Sequence, residues 1–214
     1  ANPTGGVVSE VELIKLAEGL LNFPKVFILS DEIYSRILFD NHKHISPLKF
    51  KEIRDRVIVL DGWSKTYSMT GWRLGYGIYP NEIFGFAEKL AINSHSCVNS
   101  AAQFAGIEAL KGDQKPVDDM IIEFNKRRNF LVSELNKIEN IKCKQPGGAF
   151  YVFPKITKEN MNSVEISKHL LEKKFIATVP GSSFGKNGEG FLRVSYASTI
   201  ENLEKFIVCL KDFM

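Results

Sequence analysis

Apolar residues fall into two kinds of pattern along this chain. Val11, Leu13, Ile14, Leu16, Leu20 and Leu21 recur at helical spacing, and Ser9 with Glu12 three positions later supplies a capping-box start for that helix. Residues 26–29 are instead a continuous apolar run ending in Ser30-Asp31-Glu32, the pattern of a strand buried on both faces. A second run, residues 57–60, ends in Asp61-Gly62-Trp63-Ser64-Lys65. The polar stretch 34–56 between them is long enough to return the chain to the starting edge, which predicts parallel pairing of the two strands. Residues 72–79 read as a third strand. The loop before it is too short for a parallel crossover, so this strand is predicted to run antiparallel.

From Asn81 the pattern changes to long helical periods over residues 83–92, 100–110 and 116–138. Beyond Asn140, strand-like and helical segments alternate over 142–144, 149–153, 163–173, 175–179, 191–195 and 200–213, which suggests a compact α+β unit. The fold class is therefore α/β: a mixed sheet with helices, followed by a smaller α+β domain. The division is placed at residues 1–120 and 121–214, inside the long helix, with no Gly/Ser linker to mark it.

Composition narrows the function classes. With 214 residues, 44% hydrophobic and 25% charged, the chain has the make-up of a soluble globular protein and not of a disordered or fibrous one. A net charge of +3, interspersed along the sequence, makes no nucleic-acid or lipid footprint. No apolar run approaches the roughly twenty residues that a bilayer crossing needs. Cys97, Cys143 and Cys209 are odd in number and widely spaced in apolar or amphipathic segments, which reads as buried reduced thiols in a reducing compartment. The opening Ala1 to Gly6, without an initiator methionine or a secretion signal, reads as a chain entered midway.

Ligands of open α/β sheets bind outside the carboxyl ends of the parallel strands. Asp31 directly follows the first buried strand and Lys65 lies just past the second, so an acid and an amine are predicted at one crevice. Lys65 sits in a hydroxyl-rich, aromatic loop, with Arg73 eight residues on, between Gly71 and Gly75. That grouping suits a carbonyl-reactive amine beside an anion clamp, since the planar arginine fork matches a phosphate. Competing motifs fail on detail. Gly75-Tyr76-Gly77-Ile78-Tyr79-Pro80 has proline where a dinucleotide fingerprint needs its last glycine, and 181–187 is one residue short of a nucleotide P-loop. His42-Lys43-His44 has no third ligand in view and reads as an exposed loop, so no metal is expected.

Five stretches, in order, resemble the class I and II aminotransferases, fold type I enzymes dependent on pyridoxal 5'-phosphate. They are Asn2-Pro3-Thr4-Gly5; Asp31-Glu32-Ile33-Tyr34; Ser64-Lys65 through Thr70-Gly71-Trp72-Arg73-Leu74-Gly75; Gly147-Gly148-Ala149-Phe150-Tyr151; and Pro180-Gly181-Ser182-Ser183-Phe184-Gly185 through Arg193-Val194-Ser195. The resemblance implies that Lys65 bonds the cofactor aldehyde, Asp31 pairs with the ring nitrogen and Tyr34 hydrogen-bonds the 3-oxygen. Asn2 would support that oxygen and the substrate carboxylate, Arg73 with Ser64 would hold the phosphate, and Arg193 would grip the substrate carboxylate. On its strand, Arg193 shares a face with Phe191 and Ser195 opposite Leu192 and Val194, where an arginine calls for an anionic partner. Gly62 stands where many members carry a serine, so a phosphate hydroxyl from that position is absent.

By the same resemblance, residues 1–120 are the remainder of a large cofactor domain whose mostly parallel sheet is sandwiched by helices, and 121–214 are a small C-terminal domain. The implied activity is ping-pong transfer of an amino group from an amino acid, of aspartate or aromatic type, to a 2-oxo acid. The enzyme is expected to be a cytoplasmic homodimer. A carbon-sulfur β-lyase on the same scaffold and a non-catalytic piece acting by assembly are the alternatives. The opening sheet strands, the glycine-rich helix start that cradles phosphate and the ring-stacking aromatic of the family pattern have no counterpart here. This chain alone is therefore expected to bind cofactor poorly and turn over little.

Overall fold

A computed structural model describes all 214 residues. They form two compact units, Val8–Asp118 and, separately, Ala1–Val7 with Asp119–Met214.

In the first unit, helix α1 (Glu10–Leu20) starts as its capping box dictates. The Ser9 hydroxyl accepts from the Glu12 amide at 3.3 Å and the Glu12 carboxylate accepts from the Ser9 amide at 2.8 Å. Strands β1 (Ile28–Asp31) and β2 (Val57–Gly62) pair in parallel, with Ile28 opposite Val57 and Asp31 opposite Leu60. Strand β3 (Gly75–Ile78) runs antiparallel to β2, giving a mixed sheet in the order β1-β2-β3. Ala17 of α1 packs with Ile53, Val57 and Val59, flanked by Leu20, Ile28, Leu48 and Phe50, so the helix and the crossover cover one face of the sheet.

Two sequence expectations change here. The first strand begins at Ile28 because the carbonyls before it are used otherwise: the Arg56 guanidinium donates to Phe23 O at 2.6 Å and to Val26 O at 3.0 Å. It is also buried on one face only, Leu29 being 64% exposed. The third strand starts at Gly75 and not at residue 72. The Trp72 amide turns back to Met69 O, and Arg73 takes a left-handed φ of 55°, which interrupts extended backbone.

Helices α2 (Asn81–His95), α3 (Ser100–Lys111) and α4 (Lys115–Leu135) follow. No residue of α2 is buried, and Phe86 is 77% exposed. The α2–α3 connection holds Cys97, which is exposed, whereas Cys143 is buried and Cys209 half-buried; all three are free. The expectation of three buried thiols therefore fails at Cys97. No helix is long and apolar enough to cross a membrane.

In the second unit, the later part of α4 leads into β4 (Ile141–Lys142), β5 (Tyr151–Val152) and β6 (Lys155–Ile156). Helix α5 (Ser163–Lys174), β7 (Val179–Pro180), β8 (Leu192–Ser195) and α6 (Ile200–Phe213) complete it. All pairings are antiparallel: β4 with β6, and β8 between β5 and β7. The strand expected over 175–179 shrinks to its end, because Phe175 caps α5 with φ 57° and stands 89% exposed. Leu203, Phe206, Ile207, Leu210 and Phe213 form the buried stripe of α6, at the spacing of one helical face.

Leu210→Ala, at a fully buried position, is expected to destabilise the unit by about 2–5 kcal/mol. Val208→Ala, exposed on the same helix, should change stability by no more than about 0.5 kcal/mol; urea denaturation of the two variants checks both. A thiol reagent at pH 8 should label Cys97 in the native chain and Cys143 only after unfolding. Burial pushes the Cys143 thiol up to about 12 and also blocks access to it. Mass spectrometry of timed digests reads the order of labelling.

Candidate active site

Parallel pairing sends β1 and β2 to a common edge, where Asp31 ends one strand and Lys65 follows the other by three residues past Gly62. Asp31 is exposed, and its Oδ1 accepts from the Ile33 amide at 3.2 Å. The Glu32 carbonyl accepts from the Ser35 amide at 2.8 Å, closing the turn that presents Tyr34. Gly62 lies opposite Gly75 of β3 and is forced to be glycine, since a Cβ there would meet the Gly75 Cα and the Leu74 carbonyl oxygen at 2.8 Å. Any residue with a Cβ lacks room at this crossing.

The loop from Trp63 to Arg73 is folded by its own backbone. The Tyr67 amide donates to Trp63 O at 3.1 Å and the Ser68 amide to Lys65 O at 3.3 Å, with Ser68 at φ 54°. Trp63 Nε1 donates to Gly106 O of α3 at 3.0 Å, tying the loop to that helix. Lys65 and Ser64 are half-buried here, and Arg73 is exposed with Nη1 donating to Thr70 O at 2.8 Å. A side-chain network backs the loop: Arg36 donates to Gln114 Oε1 at 2.6 Å, and the Tyr67 hydroxyl donates to the same oxygen at 3.2 Å.

Beneath the strand ends lie carboxylates that the sequence reading did not single out. Glu32 is 9% exposed; its Oε2 lies 2.6 Å from His44 Nε2, and its Oε1 accepts from Ser46 at 2.6 Å and Ser30 at 3.1 Å. Burial alone would raise this carboxyl, but the hydrogen bonds from His44 and Ser46 outweigh it and hold the group below its ordinary value. His44 is thus engaged with a buried acid rather than part of a merely exposed loop, a correction to the sequence reading. Neighbouring Asp61 shifts the other way. Burial raises it, and the Glu32 charge adds to the rise, against a bond from the Gly62 amide at 2.7 Å.

The second unit holds the remaining candidates. Arg193 on β8 alternates with buried Leu192 and Val194, as the strand period requires. Its Nη1 donates to Asn2 Oδ1 at 2.8 Å, and the guanidinium lies 4.6 Å from the Tyr151 ring centre and 5.2 Å from that of Phe184. These partners are neutral, so the charge stays available to an anion. Asn2 is brought here by its loop: the Gly147 and Gly148 amides both donate to Gly5 O at 2.9 Å. Gly5, at φ 65°, could not carry a Cβ, which would meet the Pro146 Cβ at 2.3 Å. The buried Arg128 steadies the other side, donating to Pro146 O at 2.9 Å.

An α/β unit with acid and amine at adjacent parallel strand ends, and a separate α+β unit with an arginine held by neutral groups, agree with the comparisons to known proteins. The chain belongs to the family described as aminotransferase class I and II, which it matches over residues 1–210. It is 40% identical over 204 residues to an aspartate aminotransferase of Pyrococcus horikoshii, a match covering 94% of this chain and 51% of that one. Among solved structures it resembles an aromatic aminotransferase from Pyrococcus horikoshii, with TM-score 0.94 and 34% identity over 100% of this chain and 57% of that one. An aspartate aminotransferase from Rhizobium meliloti gives 0.92 and 31%, over 99% and 55%. The chain spans about half the length of the curated relatives it matches.

A carboxyl held low in the folded state stabilises it at pH values above the ordinary one, here 4.5, and that contribution disappears as pH falls through the lower folded value. Glu32→Gln lacks the contribution at every pH. Its stability deficit against the wild type should therefore be full above 4.5 and shrink steadily as the pH falls further. Urea denaturation followed by tryptophan fluorescence checks this, since Trp63 and Trp72 both lie in the unit concerned.

Proposed function

We propose that this chain carries the reactive half of a pyridoxal 5'-phosphate-dependent aminotransferase that moves an amino group from an amino acid, of aspartate or aromatic type, to a 2-oxo acid. The observation that carries the reading is the pairing of β1 with β2, which brings the acid Asp31 and the loop of the amine Lys65 to one sheet edge, within a chain of this family. The donor set fits the cofactor group by group: a carboxylate for a protonated ring nitrogen, a phenol for the 3-oxygen, an amine for the aldehyde, and Arg73 with the Ser64 hydroxyl for phosphate.

Bound there, the cofactor supplies a sink for the electrons left when the amino acid Cα loses its proton. The chain's own residues do the rest. Asp31 holds the proton on the ring nitrogen by its charge. Tyr34 donates to the 3-oxygen. Lys65 would serve as the base that takes the proton from the substrate Cα and as the acid that returns it to the neighbouring carbon. Arg193 binds the substrate carboxylate, and Asn2, already bonded to the guanidinium, orients it. A cytoplasmic homodimer handling small amino and oxo acids belongs to the same reading.

Turnover needs surface that this chain does not itself cover. Leu29, the whole of β3 and Phe84, Phe86, Leu90 and Ile92 of α2 are exposed, and the relatives are about twice as long. Titrating the chain with cofactor, reducing with borohydride and mapping the adduct should give weak trapping at Lys65, none in Lys65→Ala, and little turnover. Co-expression with a polypeptide supplying the rest of a full-length relative should raise both. Stoichiometric trapping with normal turnover by the chain alone would refute the need for more sequence. Release of ammonia and pyruvate without amino transfer would replace the transferase with a lyase.

A further inference from the structure

Glu32 stands between the two residues that the proposed chemistry uses at the end of β1 and in the turn beyond it, Asp31 and Tyr34, and its backbone is the joint between them. Its amide donates to Leu60 O at 2.8 Å, extending the β1–β2 ladder by one bond, and its carbonyl closes the turn around Tyr34. In extended chain, successive side chains point to opposite sides, so a Glu32 fixed inward sends Asp31 outward. Asp31 is indeed exposed while Glu32 is buried. Whatever anchors the Glu32 side chain therefore sets the direction of its neighbour.

Three groups anchor it, and they differ in kind. Ser30 and Ser46 offer neutral hydroxyls at 3.1 and 2.6 Å, whereas His44 offers a ring nitrogen at 2.6 Å that can carry charge. Ser46 also accepts from the Leu48 amide at 3.3 Å, so the crossover segment 44–48 is pinned locally and delivers both donors together. The raised Asp61 carboxyl lies in electrostatic reach of both Glu32 and His44, and the Tyr76 hydroxyl donates to Asp61 at 3.4 Å. Without the imidazole, a buried carboxylate would face a second acid with hydroxyls alone.

We propose that His44 is a positioning residue, fixing through Glu32 the strand end that presents Asp31 and Tyr34. The role given to those two residues rests on the aminotransferase reading, but the mechanical link does not. Hydrogen exchange of the chain, resolved by mass spectrometry, tests the link directly. In His44→Phe the amides of Glu32 and Ser35 should exchange about ten- to a hundredfold faster, the scale set by loss of a charged hydrogen bond. Peptides from 151–195, in the other unit, should be unchanged. His44→Gln, which keeps an N–H donor, should restore most of the protection.

Native exchange at Glu32 and Ser35 in His44→Phe would overturn the proposal. So would equal acceleration in both variants, or acceleration spread evenly over 8–118. If His44→Phe does not fold, His44→Gln with native exchange and Ser46→Ala with faster exchange confined to 30–37 support it, and any other pattern sinks it. Cofactor trapping at Lys65 in the co-expressed complex is scored separately. Local loosening without trapping in any form would retain the link and defeat the aminotransferase reading, while trapping with unaltered exchange would do the reverse.

Discussion

Parallel pairing of two short strands is the constraint from which the candidate site follows. Because Ile28 faces Val57 and Asp31 faces Leu60, both chains leave the sheet at one edge. Antiparallel pairing would have put Asp31 and the Lys65 loop at opposite ends of a four-residue ladder, about 13 Å apart at ~3.3 Å per residue, too far to share one site. The parallel arrangement requires a long return, and residues 34–56 supply it. That crossover is more than a tether. It contributes Ile53, Leu48 and Phe50 to the core, and it holds the connection before β1 by the Arg56 guanidinium.

Two arginine settings in this chain stand in contrast. Arg36, Arg56 and Arg128 spend guanidinium bonds on backbone carbonyls or on the Gln114 amide, joining segments far apart in sequence, and Arg54 bonds the nearby Leu48 O. Only Arg128 among them is buried, and Arg36 also lies 3.7 Å from the Asp118 carboxylate. Arg193 is held instead by one amide oxygen and two aromatic faces, which fix its plane without neutralising it. An arginine so oriented is prepared for a bidentate anion such as a carboxylate, since the entropy of ordering the side chain is already spent. Arg73 is exposed, with Nη1 bonded to Thr70 O.

Much of this was legible from residue order. The Ser9 and Glu12 cap, the parallel and antiparallel pairings, the α6 stripe and the facing of Arg193 follow from local period and loop length, which depend on neighbours in sequence. Features that depend on distant residues were not legible. Nothing in Asp31-Glu32 says which acid turns inward, because the answer lies in His44 and Ser46 on another segment. Phe175 has the composition of a strand residue, yet it takes a left-handed cap because the Leu170 and Leu171 carbonyls at the end of α5 need its amide. Cys97 looked apolar in sequence, but its connection follows the unusual Ser96 backbone at φ 58° and turns outward.

The failed expectation that β1 is buried on both faces has the same origin as the bare surface of α2. A continuous apolar run reports that both sides of a strand are meant to be covered, without saying by what. In this chain α1 and the crossover cover one side, and Leu29 is left outside. Helix α2 repeats the case, with Phe84, Phe86, Leu90 and Ile92 exposed on an element that buries nothing. Isolated apolar residues on a surface are ordinary, but a cluster of exposed large ones on a helix and on the neighbouring strands of one unit is not. The apolar pattern of residues 8–118 thus specifies more contact than the chain satisfies within itself.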